Sequence, residues 1–398
     1  MTRVAVVVQR CHDTVVGGSE ALAWQYARLL ADRYEVEVLT STATDYRNWD
    51  NTLPAGIDHR DGLTVRRFGV ELKRSAYWEA LYQRMGEPLA ALEAGARMSW
   101  REALQDEFVR FQGPFCPDLE SWLARHHQDY AAVLFCTYLY PTTYFAIRAV
   151  PPSKSIIVPT LHDEPPAYLP AFAARYARYP QRIWLTAAEQ RTAKRIWGFD
   201  EGEVLGMAVE HAQTSTPEAR ARPYVLYCGR VDRAKGCDEL LRAFGRLPNR
   251  HRFVLTFTGE DNLGLPASAD IEYLGFVDER RKRALMAGAR AFVLPSRYES
   301  FSIVTLEAMA QGTPVLVNGH CEVMREHIEQ SGGGLYYDSP DEMVTLLERL
   351  CTLEPAERAR IGAAGRAYVL DNYREERVCE RLIGLVERVI AHAGTDTA

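Results

Sequence analysis

The sequence predicts an α/β protein built from two doubly wound, Rossmann-like parallel-sheet domains, on three observations. The chain has 398 residues, more than a single hydrophobic core usually serves. Short apolar runs alternate with amphipathic helical stretches along its length, the pattern of strand–helix–strand units. A polar stretch with two prolines interrupts that alternation near the middle.

The apolar runs of the first half are Val4–Val8, Glu35–Thr40, Thr64–Phe68, Ala132–Cys136, Ser155–Thr160 and Ile183–Thr186. Those of the second half are Tyr224–Cys228, Phe253–Thr258, Ile271–Leu274, Ala291–Leu294, Pro314–Val317 and Leu335–Tyr337. Helical segments such as Ala21–Leu30 and Glu239–Leu247 lie between them. The polar stretch is Glu210–Pro223, after which a fresh strand begins at Tyr224. The expected organisation is a first domain over 1–208, a linker over 209–222 and a second domain over 223–371. Residues 71–130 break the alternation, being long, helical and aromatic, with Tyr77, Trp78, Trp100, Phe108, Phe111, Phe115 and Trp122. They read as an inserted helical layer with its own small core, or as a lid or substrate platform. Residues 372–398 hold a charged amphipathic helix with Val378, Leu382, Leu385, Val386 and Val389 at helical spacing.

Composition narrows the function classes. Net charge is −6, with −2 before residue 209 and −4 after it. Neither part is basic, which argues against a nucleic-acid partner and leaves at most peripheral membrane contact. The five apolar residues Val4–Val8 are too few for a signal peptide or a membrane span. Eight cysteines between Cys11 and Cys379 form no C-x-x-C pair, so reduced thiols and a cytoplasmic location are expected, with no metal site.

Four segments carry candidate chemistry. Gly17-Gly18-Ser19-Glu20 joins the first strand to the helix at Ala21. Glycines there let backbone approach an anion at a helix N-terminus; alternatively this is a plain loop with Ser19 as the cap. The spacing of a dinucleotide fingerprint is absent. Gly229-Arg230-Val231-Asp232-Arg233-Ala234-Lys235-Gly236 follows the strand at Tyr224–Cys228. Such a loop lies at the carboxyl edge of a parallel sheet, where Arg230 and Lys235 can converge on a diphosphate. Arg233 reads as solvated.

The third segment is the most informative. A strand ends at Leu294-Pro295, a loop carries Glu299, and a helix starts near Ser302. From Ile303 to Ala310 only Thr305 and Glu307 are polar. A helix so apolar is buried, and Glu307 then needs donors. Two vicinal ribose hydroxyls would serve, because an ionised carboxylate only accepts. The N–H groups near Phe301, Ser302 and Ile303 can hold a phosphate, and Glu299 can accept from sugar hydroxyls close by. The plainer alternative is an internal salt bridge for Glu307 and a capping role for Glu299. The fourth segment, Thr160-Leu-His162-Asp163-Glu164-Pro-Pro166, ends another strand; His162 can hydrogen-bond a sugar hydroxyl and Asp163 can orient it.

The two glutamates eight apart, Glu299 and Glu307, resemble the E-x7-E signature of retaining GT-B glycosyltransferases, glycosyltransferase family 4. Mannosyl-, glucosyl- and N-acetylglucosaminyltransferases and sucrose synthase typify the group. The likeness extends over the whole chain: Gly17-Gly18 looks like the N-terminal glycine loop, Arg230 and Lys235 look like the diphosphate pair, and Glu322 resembles a recurrent downstream glutamate. Ser302 stands where the family often has glycine, and Gly206-Met-Ala-Val-Glu210 replaces its usual Pro-Asn-Gly-Val-Asp. The resemblance implies a GT-B fold, two Rossmann-like domains facing a cleft, with the first taking the acceptor and the last helix crossing back to it. It implies transfer of a hexose from a nucleotide diphosphate sugar, UDP- before GDP-, to an acceptor hydroxyl of a glycan, glycolipid or natural product. His162 would touch the donor sugar. Attack would come from the face the diphosphate leaves, with no metal and no cofactor. Three alternatives remain in view: a UDP-sugar epimerase of the same fold, a catalytically silent nucleotide-sugar-binding scaffold, and a Rossmann dehydrogenase, which lacks its fingerprint.

Overall fold

The computed structural model describes residues 2–15, 17–91, 100–209 and 214–395. The chain divides into two compact units. Unit 1 is Met1–Met207 with Val378–Ala398, and unit 2 is Ala208–Arg377.

Unit 1 is built on strands β1 (Arg3–Val7), β2 (Glu35–Ser41), β3 (Gly56–Arg60), β4 (Leu63–Phe68), β5 (Ala132–Cys136) and β6 (Ser155–Val158). Their order in the sheet is β3-β4-β2-β1-β5-β6. All pairs are parallel except β3 with β4. β3 has no counterpart among the expected runs: its sequence, Gly-Ile-Asp-His-Arg, is polar and largely exposed, as suits an edge. Strand β7 (Ile183–Trp184) pairs with β8 (Glu203–Val204) in a small sheet, which the parallel bridge of Arg182 to Ile157 joins to β6 of the main one. Helices α1 (Gly18–Ala31), α2 (Ala76–Ala91), α3 (Glu102–Gln112), α4 (Pro117–His126), α5 (Pro141–Tyr144), α6 (Pro170–Tyr176) and α7 (Ala187–Trp197) connect the strands.

The aromatic insertion does not keep a core of its own. Trp78, Met85, Phe108, Val109, Leu119 and Leu123 are buried in one cluster with Ala5, Val7 and Phe135 of the sheet. The reason is geometric. α2, α3 and α4 each present one apolar stripe, and the sheet face beside β1 and β5 supplies the surface that buries all three. Residues 92–99 of the insertion lie outside the described residues.

Unit 2 repeats the theme with β9 (Tyr224–Cys228), β10 (Val254–Thr258), β11 (Ile271–Tyr273), β12 (Ala291–Leu294), β13 (Val315–Asn318) and β14 (Gly334–Tyr337). Their order is β11-β10-β9-β12-β13-β14, parallel throughout. The helices are α8 (Cys237–Gly245), α9 (Glu279–Gly288), α10 (Ile303–Ala310), α11 (Glu322–Ser331), α12 (Pro340–Thr352) and α13 (Pro355–Asn372). In both sheets the order reverses beside the first strand, β1 or β9, the topology that opens a crevice at the carboxyl ends of the strands.

The stretch read as a linker is fastened to unit 2 over its described residues 214–222. Ser215 N–H donates to Gln311 Oε1 (2.7 Å), Glu218 holds Arg281 (3.0 Å), and Arg222 donates to the Phe253 carbonyl (2.6 Å). Its polarity therefore reflects pairing with charged neighbours. Residues 210–213 lie outside the described residues. The last helix, α14 (Glu375–Thr395), buries Val378, Leu382, Leu385, Val386 and Val389. It is tied to unit 1 by Arg381 donating to the Val204 carbonyl (2.5 Å) and by Glu387 with Arg33 (3.2 Å). No helix among the described residues is long and apolar enough to cross a membrane.

Candidate active site

In unit 2 the candidate residues stand on the loops after β9 and β12 and on α10. The loop after β9 turns back at Gly236, which caps α8 with φ 74°. That left-handed conformation favours glycine, and a Cβ there would sit 2.7 Å from the Pro295 carbonyl oxygen. The requirement binds the Gly229–Gly236 loop to the loop that follows β12. Asp232 closes the turn by accepting from Lys235 N–H (2.8 Å), and the Tyr227 hydroxyl donates to the Arg230 carbonyl (2.6 Å).

Lys235 Nζ then lies 2.6 Å from Glu299 Oε1. The two groups at the ends of different strands are thus brought into direct contact. An ammonium has three donors and a carboxylate several acceptor sites, so both keep capacity after pairing. Arg230 reaches its own loop, with Nη1 3.8 Å from Asp232 Oδ2.

The start of α10 is the second element. Ser302, the N-cap, has φ 62° and no side-chain capping bond; its hydroxyl instead meets that of Thr305 (2.8 Å). Thr305 N–H turns back to the Ser302 carbonyl (3.0 Å), and the N–H groups of Ile303 and Val304 before it carry the positive end of the helix. Phe301 is buried, and its carbonyl accepts from His327 Nε2 (2.9 Å). A carbonyl only accepts, so Nε2 carries the proton and Nδ1 accepts from the Tyr368 hydroxyl (3.0 Å). Burial lowers the His327 pKa to about 4, which keeps the ring neutral. The sequence reading missed His327. Its only signal was a position one turn beyond Val323 and Met324 on an amphipathic helix.

Glu307 sits in the apolar helix, and a lysine from α9 meets it. Lys282 Nζ is 3.0 Å from each carboxylate oxygen and 2.9 Å from Glu279. This is the internal salt bridge of the plainer alternative. Burial raises the Glu307 pKa against the pull of Lys282. Oε2 is buried and makes no well-aligned hydrogen bond, although it is within ion-pair distance of Lys282. The missing alignment leaves a lone pair for a further donor. Lys282 was legible in principle: it stands three and four residues before the buried Leu285 and Met286, on the same helix face. Glu322 opens α11.

In unit 1 the expected groups are engaged with one another. α1 begins at Gly18 with Gly17 as its N-cap, so Ser19 is not the cap. The Ser19 hydroxyl accepts from Gln9 Nε2 (2.8 Å) and donates to Glu20 Oε2 (3.0 Å). The Glu20 carboxylate leans over Gly17, where a Cβ would collide with it, and pairs with Arg10 Nη2 (2.5 Å). The helix N-terminus thus already faces an anion of the chain itself. Nothing lies within 4 Å of where a Gly18 Cβ would be.

The fourth segment departs from its reading in one respect. Asp163 does not orient His162. It accepts from the Tyr168 hydroxyl (2.7 Å) and pairs with Arg195 (2.7 Å). The carboxylate nearest His162 Nδ1 is Glu164, at 3.6 Å, which also accepts from the Tyr138 hydroxyl (2.9 Å). Position 163 points outward because Thr160, at φ 51°, turns the chain as it leaves the sheet. The loop is held from below by Glu189, which accepts from Leu161 N–H (2.6 Å) and Leu185 N–H (2.5 Å).

Residues 210–368 match the family described as Glycosyl transferases group 1. Over 138 residues, 32% of the chain, the sequence is 32% identical to an uncharacterized glycosyltransferase of Methanocaldococcus jannaschii, of which 35% is covered. Over 194 residues, 43% of the chain, it is 29% identical to alpha-maltose-1-phosphate synthase of Mycobacterium tuberculosis, of which 49% is covered. The chain thus matches half or less of the length of these relatives. Sucrose-phosphate synthase from Thermosynechococcus elongatus superposes with a TM-score of 0.72 at 18% identity, over 98% of this chain and 100% of that one. The chain has the GT-B fold, and its likeness to the glycosyl transferases group 1 family lies within residues 210–368.

Proposed function

We propose that the protein is a retaining glycosyltransferase that moves a hexose from a nucleotide diphosphate sugar, UDP- in preference to GDP-, to an acceptor hydroxyl. The observation that carries the reading is the contact of Lys235 with Glu299 at 2.6 Å. It sets a cation suited to a diphosphate beside a carboxylate suited to sugar hydroxyls, at the open end of α10 and within the matched domain.

In this reading Arg230, Lys235 and the first-turn N–H groups of α10 take the diphosphate. Glu299 accepts from the sugar, and Glu307 takes the ribose hydroxyls through the acceptor capacity left at Oε2. The acceptor oxygen forms its bond to the anomeric carbon on the face from which the diphosphate leaves. The carbon–oxygen bond to the diphosphate breaks, and a phosphate oxygen takes the acceptor proton. Charge developing on the leaving group is stabilised by side chains and N–H dipoles. Arg230 and Lys235 then serve where other enzymes use a divalent metal, and no cofactor is required. His162 is the unit 1 group assigned to the donor sugar, with Glu164 as its orienting neighbour.

Thermal melting against UDP-, GDP- and ADP-sugars tests the donor. A true donor at a hundredfold excess over Kd stabilises by about 2.7 kcal/mol. Proton NMR of the product tests retention through the anomeric coupling. Inversion would overturn the mechanism, and stabilisation without transfer to any acceptor would favour a silent binding scaffold.

A further inference from the structure

Arginines that stack on aromatic rings recur through unit 1, and they share a habit. Arg60 lies over Trp24 and pairs with Asp13 at 2.6 Å. Arg66 lies over Trp122 and pairs with Glu37 at 2.7 Å. Arg175 lies over Tyr144 with Asp106 at 3.5 Å, and Arg182 over Phe199 with Glu201 at 3.3 Å. The ring takes one face of the guanidinium and a carboxylate takes its edge.

Arg74 breaks the habit. Its guanidinium carbon is 4.4 Å from the Trp78 ring centre and 5.9 Å from that of Trp49. Among the described residues, no carboxylate lies within ion-pair distance of it. Its one recorded hydrogen bond is a long one, from Nε to the Gln112 carbonyl (3.4 Å). Half-burial lowers its pKa, yet a guanidinium remains charged at any ordinary pH. The Arg74 terminal nitrogens make no hydrogen bond among the described residues and are not buried, so the donor edge is open to an anion.

The position is what makes this informative. Arg74 follows the end of β4, Trp49 the end of β2, and Tyr140 the end of β5. Trp49 and Tyr140 meet edge to face at 5.4 Å. They therefore lie at the carboxyl edge of the sheet, where α/β proteins bind ligands. Arg10, following β1, is 5.7 Å from the same Trp49 ring, but Glu20 and the Thr44 carbonyl already hold it. The Tyr140 phenol, pushed up to about 12 by burial, stays a neutral O–H donor beside the two guanidiniums.

We infer that unit 1 holds a receptor for an anionic group, a phosphate or a carboxylate, on the acceptor, with Arg74 as the residue that binds it. The planar fork of Arg74 matches either oxyanion, and Tyr140 adds a donor. The inference rests on reading the protein as a glycosyltransferase and names the class of acceptor: one that carries a negative charge.

The test uses the full chain with its tryptophans labelled with ¹⁵N, in saturating UDP so that the diphosphate groups of unit 2 are occupied. Inorganic phosphate and sodium acetate are the probes, with glucose as the neutral control. Phosphate or acetate should shift the indole signals of Trp49 and Trp78 saturably, and which of the two does so identifies the group. Arg74→Met should weaken that binding at least about tenfold, while Arg74→Lys keeps part of it as a point charge. Both variants should keep the wild-type UDP affinity. If neither probe binds, or if Arg74→Met binds as wild type does, the inference falls while UDP binding leaves the transferase reading standing. If UDP does not bind, that reading falls, and a phosphate titration of Lys235→Ala without nucleotide still decides whether Arg74 holds an anion.

Discussion

Each unit sets a glutamate on a helix beside its sheet, Glu189 fully buried and Glu307 partly so, and the two are satisfied in different ways. In unit 1, Glu189 on α7 gives one oxygen to Leu161 N–H and the other to Leu185 N–H. Its partners are backbone, fixed by the fold. In unit 2, Glu307 on α10 meets Lys282, a side chain, and keeps one oxygen without an aligned donor. Burial raises the pKa of both. The difference separates two uses of the same residue. A carboxylate whose oxygens are both taken by main chain is a clamp. One held by a flexible ammonium retains capacity for a ligand.

The largest expected effects test whether the unit 2 edge works on a ligand. Arg230→Ala and Lys235→Ala should each lower turnover by roughly 10²-fold or more, by analogy with loss of an oxyanion-stabilising donor. Both are loop residues, so melting temperatures should stay near wild type. Transfer rates near wild type in both variants would remove the diphosphate assignment.

A smaller effect of another kind is expected in unit 1. Glu189→Gln leaves one buried N–H facing an amide NH₂, which costs about 1–3 kcal/mol of stability. It should lower the melting temperature with turnover per folded molecule little changed. A large loss of turnover at unchanged stability would make Glu189 a working residue and erase the contrast.

The pH dependence sharpens the comparison further. Burial pushes Glu189 up to about 8, against the pull of its two N–H donors. The folded state therefore keeps a proton that the unfolded chain gives up near its ordinary value of 4.5. That contribution is complete below the unfolded value and is lost as pH rises through 8. His327 has the opposite sign. Its folded pKa of about 4 lies below the ordinary 6.5, so its contribution is present above 6.5 and is lost as pH falls towards 4. Melting followed over this range should show an alkaline decline that Glu189→Gln removes, and an acid decline that His327→Gln removes. A profile unchanged in both variants would show that neither group titrates as described.

The smallest expected effect is none at all: under the proposal that Arg230 and Lys235 supply the charge, EDTA should leave transfer at its original rate. Loss of activity, restored by Mg²⁺ or Mn²⁺, would overturn this.

The fold was legible because parallel strands buried on both faces are written as apolar runs; Ala132–Cys136, Tyr224–Cys228 and Ala291–Leu294 begin and end as read. β3 was not, because an exposed edge strand carries no such signal. In unit 2, strand-end loops and one apolar helix drew attention to Arg230, Lys235, Glu299 and Glu307, of which the structure brings Lys235 and Glu299 into contact. Their actual pairings were not legible. Lys282 lies 25 residues before Glu307 and Lys235 lies 64 before Glu299, and only the sheet order sets those distances in space. The Glu164 contact was misassigned to Asp163 for a local reason, the positive φ of Thr160. A β-branched residue gives no hint of that conformation.

Helix α14 has a consequence for how the protein is made. Unit 2 is one uninterrupted run, complete when residue 377 has been synthesised, whereas unit 1 contains residues on both sides of it. During translation, a chain emerging at about 5–20 residues per second presents the sheet of unit 1 first and the helix that covers Tyr34 and Leu29 last. For the time needed to synthesise 170 intervening residues, the surface that later receives Val378, Leu382, Val386 and Val389 stays open to water. The first unit to begin folding is therefore the last to finish, and in the interval its exposed apolar face is the natural target for a chaperone on the nascent chain.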